Sequence, residues 1–197
     1  IQKLDSNGQF VTTWGRFGQG ESIDSFWGPR AVVVDGQGRV YVADTGNKRV
    51  AVFDENGVPL STIGVDGSDP GQLDEPVGLA VSPEGTLYVA DTWNLRVQVF
   101  EPAEGTDDYV FVREWPIVGW YGQSVENKPY LALDNRGRVY VTDPEGYRVL
   151  VFDGNGQFVT TWGDFGADNS TFTLVSGVAV GPDGSVYVSD AGNQRVL

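Results

Sequence analysis

Cysteine, histidine and methionine are all absent from the 197 residues. Without cysteine there is no disulfide, thiolate nucleophile or cysteine metal ligand, and the redox compartment stays open. Without histidine, the usual general base of Ser-His and Cys-His sites is missing, as is the usual ligand of catalytic zinc. Cations are scarce: 13 Lys and Arg stand against 27 Asp and Glu, a formal charge of −14. Such a surface repels phosphate backbones, whose affinity rests on cations that displace counterions, so no nucleic-acid partner is expected. No run approaches the ~18 apolar residues of a membrane span, so no membrane insertion by this segment is expected, and no signal peptide is visible. With Ile at position 1, the chain reads as a processed product or an excerpt of something longer.

What the chain has instead is repetition. The segment Val40-Tyr41-Val42-Ala43-Asp44 returns with small changes at Leu87 to Asp91, Val139 to Asp143 and Val186 to Asp190. Each copy is followed five residues later by arginine: Arg49, Arg96, Arg148 and Arg195. The aspartates lie 47, 52 and 47 residues apart. A period of this length marks a supersecondary unit that buries its apolar face only by stacking on its neighbours. Within one unit, apolar runs at Ala31 to Val34, Val40 to Ala43, Val50 to Phe53 and Pro59 to Ile63 alternate with turns such as Asp35-Gly36 and Asn56-Gly57. Asn-Gly accepts the positive φ angles of a tight hairpin, and no segment has helical periodicity. The expected fold is therefore all-β: a β-propeller of four-stranded antiparallel blades in one region, 1–197. Its repeats run over 28–64, 75–119, 128–163, and 174–197 completed by 1–15.

Each unit resembles the NHL repeat. The resemblance rests on Val-Tyr-Val-Ala-Asp, on Asp44-Thr45-Gly46-Asn47-Lys48-Arg49-Val50 and Asp190-Ala191-Gly192-Asn193-Gln194-Arg195-Val196, and on the Phe-Asp-x-x-Gly hairpin. Asp91 to Val97 fits with Trp93 in place of the glycine, whereas Asp143-Pro144-Glu145-Gly146-Tyr147-Arg148 has no asparagine. The family implies a propeller, often of six blades, that serves mostly as a binding platform. Relatives of another type are calcium-dependent lactonases or hydrolases with Glu, Asn and Asp at the central mouth. On that alternative Glu75 and Asn127 would be metal ligands; on the leading reading there is no cofactor and no catalysis. RNA binding, known in some NHL propellers, is disfavoured here by the charge.

The repeated Asp44/Arg49, Asp91/Arg96, Asp143/Arg148 and Asp190/Arg195 pairs flank a hairpin loop. They read as a structural clip, the other reading being a ring of carboxylates around metal or substrate. Function is sought where the copies differ. The loops between second and third strands share a face with long inter-blade links at 16–27, 65–75, 120–127 and 164–173, and that face is rich in aromatics: Phe26, Trp27, Trp93, Trp120, Tyr121, Tyr147, Phe165 and Phe172. Candidate contact residues are Trp27, Trp93, Trp120, Tyr121, Gln123 and Tyr147, for a protein or carbohydrate ligand. The two chain ends fall inside the same strand of the repeat, which suggests an excerpt of a longer array, or else a closed four-blade ring; open blade edges would allow homo-oligomers. An acidic, cysteine-free propeller suits a bacterial cell-envelope or extracellular protein.

Overall fold

The structure, a computed structural model, describes residues 1–117, 120 and 128–197. Three complete blades follow one another. The first is Ala31–Val34, Val40–Asp44, Arg49–Phe53 and Pro59–Ile63. The second is Pro76–Val81, Leu87–Asp91, Arg96–Pro102 and Tyr109–Pro116; the third is Leu131–Leu133, Val139–Asp143, Arg148–Phe152 and Phe158–Trp162. Each is a meander of antiparallel strands in chain order, and the protein is a β-propeller. The fourth blade contributes Val175–Val180, Val186–Asp190 and Arg195–Val196.

The second strand of each complete blade is buried at every position, because blades pack on both of its faces. That explains why it reads as an unbroken apolar run rather than an alternation. One apolar cluster fills each gap between blades: Tyr41, Val50, Leu79 and Phe100 between the first and second, Val97, Trp115, Val141 and Phe152 between the second and third, Tyr140, Val149, Phe172 and Val188 between the third and fourth. Inner strands touch in the same order.

The turn between third and fourth strands is built the same way in the N-terminal hairpin and in the first and third blades. The carboxylates of Asp5, Asp54 and Asp153 accept the backbone N–H groups two and four residues ahead at 2.8–2.9 Å. A register shift at Val52/Phe53, Val99/Phe100 and Val151/Phe152 accompanies that edge of each blade.

Residues 1–15 form the hairpin Gln2–Leu4 and Phe10–Thr13, a sheet separate from the fourth blade. It packs through Ile1 and Trp14 on Val40, Val42, Ala51 and Phe53 of the first blade, with Trp14 and Phe53 rings 6.1 Å apart. The same relation joins Trp115 to Phe152 at 5.8 Å. The hairpin thus sits where a preceding blade would place its outer strands. It does not extend the sheet of Arg195–Val196, since both segments correspond to one strand of the repeat, Ile1 and Val196 alike matching Val50.

Candidate binding site on the loop face

Three of the Asp-Arg pairs fasten the link that leads into their own blade. Asp44 Oδ1 accepts the Trp27 N–H at 2.8 Å, and Oδ2 accepts Asn47 Nδ2 at 2.7 Å and Arg49 Nε at 2.9 Å. Asp91 does the same with the Asp74 N–H, Asn94 and Arg96, and adds Gln98 Nε2 at 2.9 Å. Asp190 does so with the Thr173 N–H, Asn193 and Arg195. The arginine Nη2 then donates to the end of the link, at Ser25, Gln72 or Thr171 O. The asparagine donates to its start, at Gly18, Gly67 or Gly166 O. All four aspartate side chains are fully buried, so these bonds satisfy charges that burial would otherwise penalise.

The third copy lacks the asparagine, and the chemistry registers it. Asp143 keeps Arg148 Nε at 2.7 Å and gains the Gly146 N–H at 3.2 Å. Burial pushes its carboxyl above the usual range, with Arg148 pulling the other way. At Asp190, burial also opposes ionisation, but Asn193, the Thr173 and Leu174 N–H groups and Arg195 together outweigh it and hold the pKa at about 2.

Three of the links share one architecture. Each closes on itself through a parallel bridge, Arg16–Phe17 with Ser25–Phe26, Asp66 with Leu73, and Phe165 with Phe172. A buried anchor, Phe26, Leu73 or Phe172, lies on the glycine ending the previous fourth strand. A Cβ at Gly15, Gly64 or Gly163 would fall 2.3–2.6 Å from that anchor. Phe26 and Phe172 are therefore spent on packing and face no ligand. The signal was in the sequence: glycines three apart at Gly15/Gly18, Gly64/Gly67 and Gly163/Gly166.

Two indoles remain open to solvent, Trp27 at 45% and Trp93 at 48% exposed. They line one depression of about 290 Å³ between the first and second blades, with Arg30, Lys48, Asp74 and Glu75. Each blade supplies one ring from a different place. Trp27 leans on Gly46, where a Cβ would come within 2.6 Å of its carbonyl oxygen and 2.8 Å of its ring. In the next unit the sizes are exchanged, Asp74 standing for Trp27 and Trp93 for Gly46, with the hydrogen bond kept (Gly46 N to Trp27 O at 2.8 Å, Trp93 N to Asp74 O at 3.1 Å).

Apart from Arg30, charge in the depression is already paired. Lys48 Nζ lies 2.8 Å from Asp66 and 3.1 Å from Asp74; the Asp66 carboxylate is the main reason its pKa lies above the ordinary value, against partial burial. Glu75 sits in the left-handed region (φ 56°), at the position that Gly28 fills in the first blade. Its Oε1 lies 2.9 Å from Nζ of Lys128, whose side chain is only 2% exposed. A cation at Glu75 would have to displace that ammonium. Among the described residues, no three acidic side chains converge on a metal site.

The remaining candidates separate. Trp120 is 4% exposed, in the core between second and third blades, and its Nε1 donates to Thr142 O at 3.4 Å. It is a packing residue, its ring set among Val97, Ile117 and Val141 of that core. Trp115 and Pro116 belong to the fourth strand. Tyr147, in the left-handed region, meets Phe165 edge-on with centroids 5.0 Å apart. That pair stands where Lys48 and Asp66 stand two links earlier, so the ring pins a link. Tyr121, Gln123 and Asn127 lie outside the described residues. Sequence reasoning missed Arg30 and Lys128; the residues preceding proline, Gly28, Glu75 and Lys128, held the signal as opposite charges at one repeat position.

Residues 26–53, 73–100 and 172–197 match the NHL repeat. The chain carries NHL repeats. The unmatched third unit is the one without the asparagine. Protein brain tumor of Drosophila melanogaster is 28% identical over 151 residues, 76% of this chain and 14% of that protein. Among solved structures, a streptogramin B lyase superposes with a TM-score of 0.65 at 12% identity, over 99% of this chain and 56% of the lyase. A gluconolactonase from Xanthomonas campestris gives 0.64 at 20%, covering 96% and 61%. A functionally unknown protein from Desulfotomaculum acetoxidans gives 0.66 at 15%, covering 99% and 59%. At these identities the structural likenesses establish the propeller fold, and this chain spans less than two thirds of each.

Proposed function

We propose that this NHL propeller segment is a non-catalytic binding platform, whose ligand, a protein segment or a carbohydrate, seats on the loop face at Trp27 and Trp93. The observation that carries this is the pair of half-exposed indoles, one from each of two adjacent blades, around one depression. Neither ring is used by the fold as Trp14, Trp115 and Trp162 are, each of which packs on a neighbouring ring. Aromatic anchors over a rigid scaffold are where binding energy concentrates. The binding reading over catalysis is supported by the absence of His and Cys and by the ion pairing of Glu75.

The test is a comparison of the wild-type protein with the Trp27→Ala/Trp93→Ala double variant on arrayed peptides and glycans. Ligands held by the wild type and lost by a double variant of unchanged melting temperature are expected. Equal retention of every ligand by both proteins places contact elsewhere and overturns the reading.

A further inference from the structure

Resting on that platform reading, we infer that the Trp27–Trp93 depression takes an uncharged saccharide. The argument is a charge count. The groups in and directly behind the depression are Arg30, Lys48 and Lys128 against Asp66, Asp74 and Glu75, so the site is neutral within a chain of formal charge −14. Its carboxylates are already occupied: Asp66 and Asp74 share Lys48, and Glu75 holds the buried Lys128. A cationic side chain entering here would meet the lysine already beside each carboxylate, a like charge, and at Glu75 would compete with the buried Lys128. Among the described residues of this site, an anion finds one cation without an ion pair, Arg30, and meets the field of a strongly acidic protein.

A sugar ring needs neither exchange. Its C–H face is apolar and suits an indole, while its hydroxyls both donate and accept at the ring edge. Two indoles with a guanidinium and paired carboxylates between them supply those contacts. The oxygens of a carboxylate that is paired on one side still accept from a hydroxyl on another.

Calorimetric titration of the whole chain with neutral oligosaccharides (gluco-, manno- and chito-hexaoses), oligogalacturonate and oligolysine tests this. A neutral hexaose is expected to bind, with Kd changing less than about twofold between roughly 0.05 and 0.5 M salt, since no net charge is exchanged. Trp93→Ala and Arg30→Ala, both at exposed positions, are each expected to weaken it by about tenfold or more without a change in melting temperature. Binding of oligolysine or oligogalacturonate that requires Trp27 and Trp93, falls with salt and is not matched by any neutral sugar overturns the saccharide inference and leaves the platform standing. Binding of all three classes that is indifferent to both indoles overturns the two together.

Discussion

Asp143 and Asp190 occupy the same position in two units, yet their pKa values shift in opposite directions: burial dominates at Asp143, while Asn193, the Thr173 and Leu174 N–H groups and Arg195 together outweigh it at Asp190. For Asp190 the folded pKa of about 2 lies below the ordinary 3.8. Its contribution to stability is therefore present above pH ~4 and lost as pH falls toward ~2. For Asp143 the folded pKa is raised, so its contribution favours folding below the ordinary carboxylate range and is lost as pH rises through the folded value. Asp190→Asn should cost stability at pH 7 and flatten the acid limb of the stability profile. Asp143→Asn should cost less at pH 7 and leave the acid limb steep. Urea midpoints between pH 2.5 and about 7 check both; equal losses at pH 7 would show that the asparagine is immaterial. The sequence shows the departure at Gly146 plainly, but not its consequence, which depends on complete burial of the carboxylate.

At the scale of elements, glycines with similar φ do different work. Gly8 has φ +77° with open space around it, whereas Gly64 has φ +81° with Leu73 Cδ1 2.4 Å from where its Cβ would be. Gly8→Ala should cost about 1 kcal/mol, from backbone strain alone. Gly64→Ala should cost a further 1–3 kcal/mol or so, since the buried Leu73 anchor must move. Thermal or urea denaturation distinguishes them, and a Gly64→Ala variant no worse than Gly8→Ala would mean that the link does not depend on its anchor. The four-stranded blade, its hairpin turns and their asparagines and aspartates are all legible in the sequence, being local and periodic. The links are not. Their order comes from hydrogen bonds spanning 24–29 residues, such as Asn47 to Gly18 and Arg96 to Gln72, and the glycines three apart mark where each link starts but not what closes it.

For the molecule as a whole, stability is held in the gaps between blades. Trp115 is buried in the second gap against Tyr88 and Phe152, while Trp93 stands half in solvent on the loop face. Trp115→Ala should destabilise by about 3–5 kcal/mol, and Trp93→Ala by no more than about 0.5 kcal/mol. Chemical denaturation reads both, and a large loss at Trp93 would make it part of the scaffold instead of the site. In an array of stacked units each interface supports its neighbours, so the Trp115 cavity should loosen the second and third blades first. Hydrogen exchange would show that as lost protection across Leu87–Asp91 and Val139–Asp143.

The sequence by itself determined the fold class, the period, the strand order and the Asp-Arg clip, because each is written in residues that recur at fixed spacing. It also determined the absence of histidine and cysteine chemistry. Which departures from the repeat face solvent was decided only by the tertiary structure. Trp93 and Trp120 looked alike as unmatched tryptophans, yet one is half exposed and the other lies in a core. Whether Glu75 was a vacant carboxylate or half of a buried pair was also decided there, by Lys128 from the following blade. The physical reason is the same for both. Burial and pairing on the loop face depend on which neighbouring blade comes within a few ångströms, and that distance is set by stacking and not by sequence order.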